Sequence, residues 1–93
     1  MNLTHKTGIK ANHKVTFYGL STCGWCRKTK EFLDQNDIDY RFIYVDLAQG
    51  EDRTEAVDRV RKLNPRGSYP TIEVDNEVVI GFDEQRLTEL LDL

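Results

Sequence analysis

From residue 15 onward, apolar positions follow two periods, and these divide the chain into seven elements. Val15-Thr-Phe-Tyr18 is a short β-rich run broken by Gly19. Ser21 and Thr22 supply helix-start chemistry. From Gly24 to about Asn36 the spacing predicts a helix. Trp25 or Cys26, Thr29, Phe32 and Leu33 recur on one face, while Arg27, Lys28, Glu31 and Asp34 fall elsewhere. Tyr40 to Val45 is β-branched and aromatic, a second strand whose following turn Asp46 is expected to cap. Ala56, Val57, Val60 and Leu63 form one face of a helix over about Glu51 to Leu63. Its acidic start and basic end suit the helix dipole, and Asn64-Pro65 stops it. Thr71 to Val74, the pair Asp75-Asn76 and Glu77 to Ile80 read as a hairpin with a two-residue turn. Asp83 is the expected N-cap of the last helix, with Phe82 and Leu87 placed for a hydrophobic staple and Leu90 and Leu91 continuing its buried face.

The order is therefore β-α-β-α-β-β-α, an α/β class. The first strand, helix and second strand make a βαβ unit, so those two strands should be parallel. The hairpin adds antiparallel strands, which gives a mixed four-stranded sheet flanked by helices. Met1 to Lys14 shows neither period and is read as a polar N-terminal tail, partly ordered, with at most a short helix; residues 15–93 are the domain. Phe17, Phe32, Phe42 and Leu87 are core candidates, and Tyr18 and Tyr40 are read as packing against the sheet or bordering the site.

Composition narrows the class. The chain has 93 residues, 39% of them hydrophobic and 31% charged, enough for one compact domain. No run approaches the roughly 18 apolar residues of a membrane span, and the first 14 residues contain no secretory h-region. A cytoplasmic protein is expected. The net charge of −3 argues against a nucleic-acid partner. Residues 1–30 nevertheless carry six basic side chains and no carboxylate (+6), whereas residues 31–93 carry 7 basic and 16 acidic ones (−9). The cysteine pair lies in the basic third.

The chemistry sits in Ser21-Thr-Cys-Gly-Trp-Cys26. Two cysteines are too few for a disulfide-stapled secreted scaffold, so their C-x-x-C spacing points to redox or metal chemistry. If the helix starts near Cys23, the i, i+3 spacing puts both sulfurs on one face within bonding reach. Cys23 then faces the unpaired N–H groups and positive end of the helix, which favour a thiolate, and Cys26 is shielded one turn inside. Cys23 is the expected nucleophile and Cys26 the resolving thiol. Lowering a thiol pKa from ~8.5 to ~7 raises its thiolate fraction at pH 7 roughly sixteenfold but costs roughly fivefold in nucleophilicity. The pair thus matters more than either thiol alone. A zinc site would have to draw on His5 and His13, both in the tail, and the spacing matches no common zinc module; no metal is expected. Trp25, between the cysteines, is read as an exposed platform for a partner rather than as packing. Thr22 either caps the helix or hydrogen-bonds Cys23.

Val15-Thr-Phe-Tyr-Gly-Leu-Ser-Thr-Cys-Gly-Trp-Cys26, Gly67-Ser-Tyr-Pro-Thr-Ile72 and Val79-Ile-Gly-Phe-Asp83, in this order and spacing, resemble the glutaredoxin family of thioredoxin-fold proteins over residues 15–93. The resemblance implies a thioredoxin-like fold and a thiol–disulfide oxidoreductase. It implies that Pro70 follows a cis bond facing the cysteines and that the backbone of Tyr69 pairs with an extended substrate segment. The sequence departs from glutathione-using members. Leu20 stands where they usually carry lysine, Gly81-Phe82-Asp83-Glu84 replaces a Gly-Gly-acidic run, and the centre is Cys-Gly-Trp-Cys. These departures count against glutathione, for which Arg27, Lys28 or Arg66 would have to supply the missing anion site. They lean toward the NrdH-like redoxins, which serve ribonucleotide reductase and are recharged by a thioredoxin-reductase-type enzyme.

The leading expectation is a monomeric dithiol donor, with no bound cofactor beyond its own Cys23–Cys26 disulfide. It would reduce protein disulfides and be recharged by an upstream reductase or a low-molecular-weight thiol. The alternatives are a glutathione-dependent glutaredoxin, and a non-catalytic redox-sensing or zinc-binding module.

Overall fold

A computed structural model describes all 93 residues. It contains β1 (Thr4–Lys6), β2 (Val15–Gly19), α1 (Gly24–Gln35), β3 (Tyr40–Tyr44), α2 (Gly50–Leu63), β4 (Thr71–Val74), β5 (Glu77–Ile80) and α3 (Glu84–Leu90). The seven elements expected from periodicity are all present, within one or two residues at their ends. They build a mixed sheet of strand order β1-β3-β2-β4-β5.

β2 is the pivot of the sheet. It runs parallel to β3, with Phe17 opposite Phe42, and antiparallel to β4, with Phe17 opposite Ile72. All five of its residues are buried. Alternation along a strand sends successive side chains to opposite faces, and the core divides accordingly. Val15 and Phe17 join Phe32 and Leu33 of α1, Ile72, Val74 and Val79 of the hairpin, and Leu87 and Leu91 at the C-terminus. Tyr18 joins Ile43, Val45 and the α2 residues Ala56 and Val60 on the other face. Helices α1 and α3 therefore cover one side and α2 the other. Phe17, Phe32 and Leu87 are core as expected, and Tyr18 and Tyr40 are buried in the packing, whereas Phe42 is half-buried.

The N-terminal segment corrects the sequence reading. Residues 1–14 are not a tail and hold no helix: β1 adds a fifth strand, antiparallel to β3 with His5 opposite Arg41. Its three side chains are all exposed, so the strand carries no hydrophobic signal. Backbone pairing and polar anchors hold it instead. His5 Nε2 lies 2.8 Å from Asp39 Oδ2, and the Gly8 N–H donates to Asp39 Oδ1 at 3.1 Å. Gly8 passes so close to β3's approach that a Cβ there would fall 2.4 Å from the Ile38 carbonyl carbon. The Asn2 N–H and amide both donate to Asp52 on α2.

The hairpin turn uses Asp75 at φ +55°, a conformation aspartate tolerates better than most residues. Its carboxylate accepts the Lys14 N–H and faces His13, whose other ring nitrogen meets Asp92 at 2.8 Å. Asp83 caps α3 by accepting the Arg86 N–H. No helix is long and apolar enough to cross a membrane.

His13 bridges the hairpin turn to the C-terminus, and its hydrogen bonds to Asp75 and then Asp92 raise its pKa above the ordinary value. A raised folded pKa contributes stability that is complete below about pH 6.5 and is lost as pH rises through the folded value. Denaturant midpoints of the wild type should therefore fall relative to His13→Gln between pH 6 and pH 8.5. A constant difference between the two proteins over that window would remove the linkage.

Candidate active site

The loop Leu20-Ser-Thr22 carries the chain from the end of β2 into α1, and Cys23 is the N-cap of that helix, in extended conformation at φ −92° and ψ 119°. The first N–H groups of a helix have no intrahelical acceptor. Here the Cys23 sulfur takes the role usually filled by a hydroxyl or carboxylate: the Cys26 N–H donates to Cys23 Sγ at 3.2 Å. The Cys23 N–H donates back to the Leu20 carbonyl at 3.2 Å, which closes the turn.

Ser21 and Thr22 therefore do not cap the helix, because Ser21 is committed elsewhere. Its N–H donates to Asp46 Oδ1 at 2.9 Å and its hydroxyl to Asp46 Oδ2. Asp46 consequently does more than terminate its strand: it ties the cysteine loop to the end of β3. The Ser21 hydroxyl, above all, holds its carboxyl below the usual carboxylate range. Thr22 is exposed at the mouth of the helix and bonds to neither the cap nor Cys23.

The two thiols differ as their positions dictate. Cys23 is partly exposed and Cys26 fully buried. Burial pushes the Cys26 thiol up, and its hydrogen bond to Cys23 adds to that; the Leu20 N–H, 3.4 Å from Cys26 Sγ, opposes them. Gly19 permits this closeness, since a Cβ there would sit 2.7 Å from the Phe17 ring and 3.4 Å from Cys26 Cβ.

The second wall is the loop between α2 and β4. The Tyr69–Pro70 bond is cis. Tyr69 is half-buried and packs against the core cluster that contains Cys26, with Cys23 at the same margin. No hydrogen bond within the chain uses the backbone N–H or C=O of Tyr69. Burial raises its phenol pKa, the charges of Arg61 and Arg53 oppose that, and Cys26 reinforces it, so all three lie within electrostatic reach of the ring.

Trp25 is 60% exposed. One face stacks on Phe82, with ring centroids 6.4 Å apart, and Phe82 in turn meets the core residue Phe32 edge-on at 5.9 Å. The indole is thus an exposed surface with a packed footing. Lys28 Nζ stands 5.5 Å from its centroid. Arg27 lines an open depression of ≈ 480 Å³ with Gly24, Trp25, Lys28 and Glu31. Arg66 lies on the other wall, exposed, and shares no ion pair with that group. The cations that accompany Tyr69 are Arg53 and Arg61 of α2, which sequence reasoning missed. It also missed Asn64, read only as a helix stop. Arg53 and Arg61 are unmarked because they reach Tyr69 across the fold. The partners of Asn64, by contrast, lie within seven residues of it, and the bond from the Arg66 N–H to its side chain is a local turn signal that the helix-stop reading passed over. His5 is held by Asp39, and His13 has both ring nitrogens committed to Asp75 and Asp92; no group of three or more His, Cys, Asp or Glu side chains is placed to hold a metal ion.

The glutaredoxin family model matches residues 15–79. The chain is 31% identical to a glutaredoxin-like 8.6 kDa protein of the rubredoxin operon of Clostridium pasteurianum, over 84% of this chain and 97% of that one. It is 35% identical to glutaredoxin 1 of Rickettsia bellii, over 86% and 88%. Among solved structures, the glutaredoxin of Methanosarcina mazei superposes with a TM-score of 0.89 at 38% identity, covering 100% of this chain and 90% of that one. The methanoredoxin of Methanosarcina acetivorans gives 0.87 at 37%, covering 92% and 90%. A C-x-x-C pair at a helix mouth beside a cis-proline loop thus meets its relatives at the level of sequence and of backbone, and the chain belongs to the glutaredoxin family of thiol–disulfide oxidoreductases.

Proposed function

We propose that the protein is a dithiol reductant of protein disulfides in which Cys23 attacks and Cys26 resolves. The observation that carries this reading is the asymmetry of the pair: one sulfur partly exposed at the helix cap, the other buried behind it. The Cys23 thiolate attacks one sulfur of a substrate disulfide; a Cys23–substrate disulfide forms and the second substrate sulfur leaves as a thiolate. Cys26 then gives up its proton and attacks Cys23 Sγ. The mixed disulfide breaks, the released sulfur takes up a proton, and Cys23–Cys26 is left oxidised. Two electrons and two protons have passed to the substrate. An upstream reductase or a low-molecular-weight thiol returns them. Because Cys26 is held protonated by burial, it does not compete as the first nucleophile; once Cys23 is in mixed disulfide, proximity replaces acidity as its advantage.

The extended substrate segment pairs with the uncommitted backbone of Tyr69 beside cis-Pro70, and the Trp25 face meets the partner surface, with Thr22 and Arg27 at its margin. A monomer in a reducing cytoplasm suits these roles. Protein substrates are favoured over glutathione because Leu20, where glutathione-using members carry lysine, turns its side chain into the Tyr18 cluster. Reduction of oxidised ribonucleotide reductase is the narrowest form of the reading and is measurable directly. A second reading, with glutathione as reductant, draws on Arg53 and Arg61, cations within electrostatic reach of Tyr69, of which Arg61 lies against Gly67 of the same loop. Turnover of a glutathione mixed disulfide coupled to glutathione oxidation decides between them.

Cys23→Ser should lower insulin-disulfide reduction to background. Cys26→Ser should attack once and accumulate a covalent adduct visible by intact mass; unchanged turnover in Cys23→Ser ends the proposal. Iodoacetamide at pH 7 should label Cys23 in the folded, reduced protein well before Cys26, with both labelled together in denaturant. Peptide mapping that found Cys26 modified first would reverse the assigned roles.

A further inference from the structure

We infer that Asn64 is a positioning residue for substrate, holding the loop edge at Tyr69 in the shape an extended segment must match. The inference rests on the proposed pairing at Tyr69 and adds the side chain that fixes it. Asn64 ends α2, is 1% exposed, and spends both ends of its amide on the loop that follows. Its Nδ2 donates toward Ser68 Oγ at 2.9 Å, the Ser68 carbonyl at 3.2 Å and Thr71 Oγ1 at 3.2 Å. Its Oδ1 accepts the Arg66 N–H at 3.2 Å, and its own carbonyl accepts the Gly67 N–H at 2.8 Å. Thr71, fully buried at the start of β4, closes the ring by donating its hydroxyl to the Ser68 carbonyl at 2.8 Å.

This network pins one flank of Tyr69. The other is pinned by the Gly81 N–H, which donates to the Pro70 carbonyl at 2.8 Å. Between two fixed carbonyls, Tyr69 presents an N–H and a C=O without partners in the chain. A buried polar side chain is costly unless its bonds are made, and a helix stop needs none of this; Pro65 alone would serve. Asn64 is buried because the loop needs an internal polar post. It touches no reacting atom, so its removal should loosen the edge without altering the sulfur chemistry.

The test compares two substrates in single-turnover reduction by the pre-reduced protein, following thiol release. One is an extended peptide disulfide, with a counterpart N-methylated beside its cysteine to remove a strand donor. The other is bis(2-hydroxyethyl) disulfide, too small to pair as a strand. In the wild type, N-methylation should lower kcat/KM about fivefold to tenfold, the worth of one net hydrogen bond. Asn64→Ala should raise the peptide KM by about that factor and leave its limiting rate and the small-disulfide rate within about twofold. It should also erase the N-methylation penalty. Thr71→Val, which keeps shape and strand propensity, should act in the same direction and carries the test if Asn64→Ala does not fold. Equal losses on both substrates, no loss on either, or a variant that keeps the full N-methylation penalty overturns the role of Asn64 alone. A wild type indifferent to N-methylation overturns the Tyr69 pairing and this inference with it.

Discussion

One backbone donor, the Cys26 N–H, points at the sulfur of Cys23, and the arrangement of the site follows from keeping it there. Sulfur is a weaker acceptor than the hydroxyl or carboxylate that usually caps a helix, and such caps are worth about 1 kcal/mol. α1 therefore begins with a poorer cap than Ser21 or Thr22 could have given. The deficit is covered by the helix's inner face, where Cys26, Thr29, Phe32 and Leu33 are buried. Full burial of a side chain such as Leu33 contributes about 1.5–3 kcal/mol, so packing outweighs the weak cap. The helix can start on a reactive group because the hydrophobic core, not the cap, holds it.

The two loops that face each other across the site are held by a different device. Asp46 reaches back from the end of β3 to Ser21, and Asn64 reaches forward from the end of α2 to Ser68 and Thr71. Each is a side chain from one element satisfying backbone or hydroxyl groups of a loop, which fixes the loop without filling it with apolar bulk. The groups left open, the Cys23 sulfur and the Tyr69 backbone, lie between these anchors. The Trp25–Phe82–Phe32 stack extends the same logic to the surface: an exposed indole is kept in place by a chain of rings that ends in the core. Charge is also redistributed by folding. The basic first third of the sequence is spread out: Lys6 lies on β1, Lys10 bridges to Ile38 before β3, and Lys14 sits against the hairpin turn at Asp75. Arg53 and Arg61 come from the acidic remainder into electrostatic reach of Tyr69.

Hydrophobic period determined most of the fold. The β-rich run at Val15–Tyr18, the helical face of Thr29, Phe32 and Leu33, and the Asp75-Asn76 turn each express a local rule that needs no knowledge of neighbours, as does the Cys23–Cys26 spacing on a helix start. The shape of the cis-Pro70 wall and the membership of the family were legible through resemblance, since Tyr-Pro before a strand is by itself only a turn. What the sequence could not disclose is what depends on distant partners. β1 has three exposed side chains and exists only because β3 offers it an edge. Asp46 is 25 residues from Ser21, and although the partners of Asn64 lie within seven residues, its burial depends on how the loop closes over it. Apolar patterning is written locally because every core residue obeys the same solvent preference; a polar anchor such as Asp46 is specific to particular partners, and where these are far along the chain only the tertiary structure brings them within hydrogen-bonding distance.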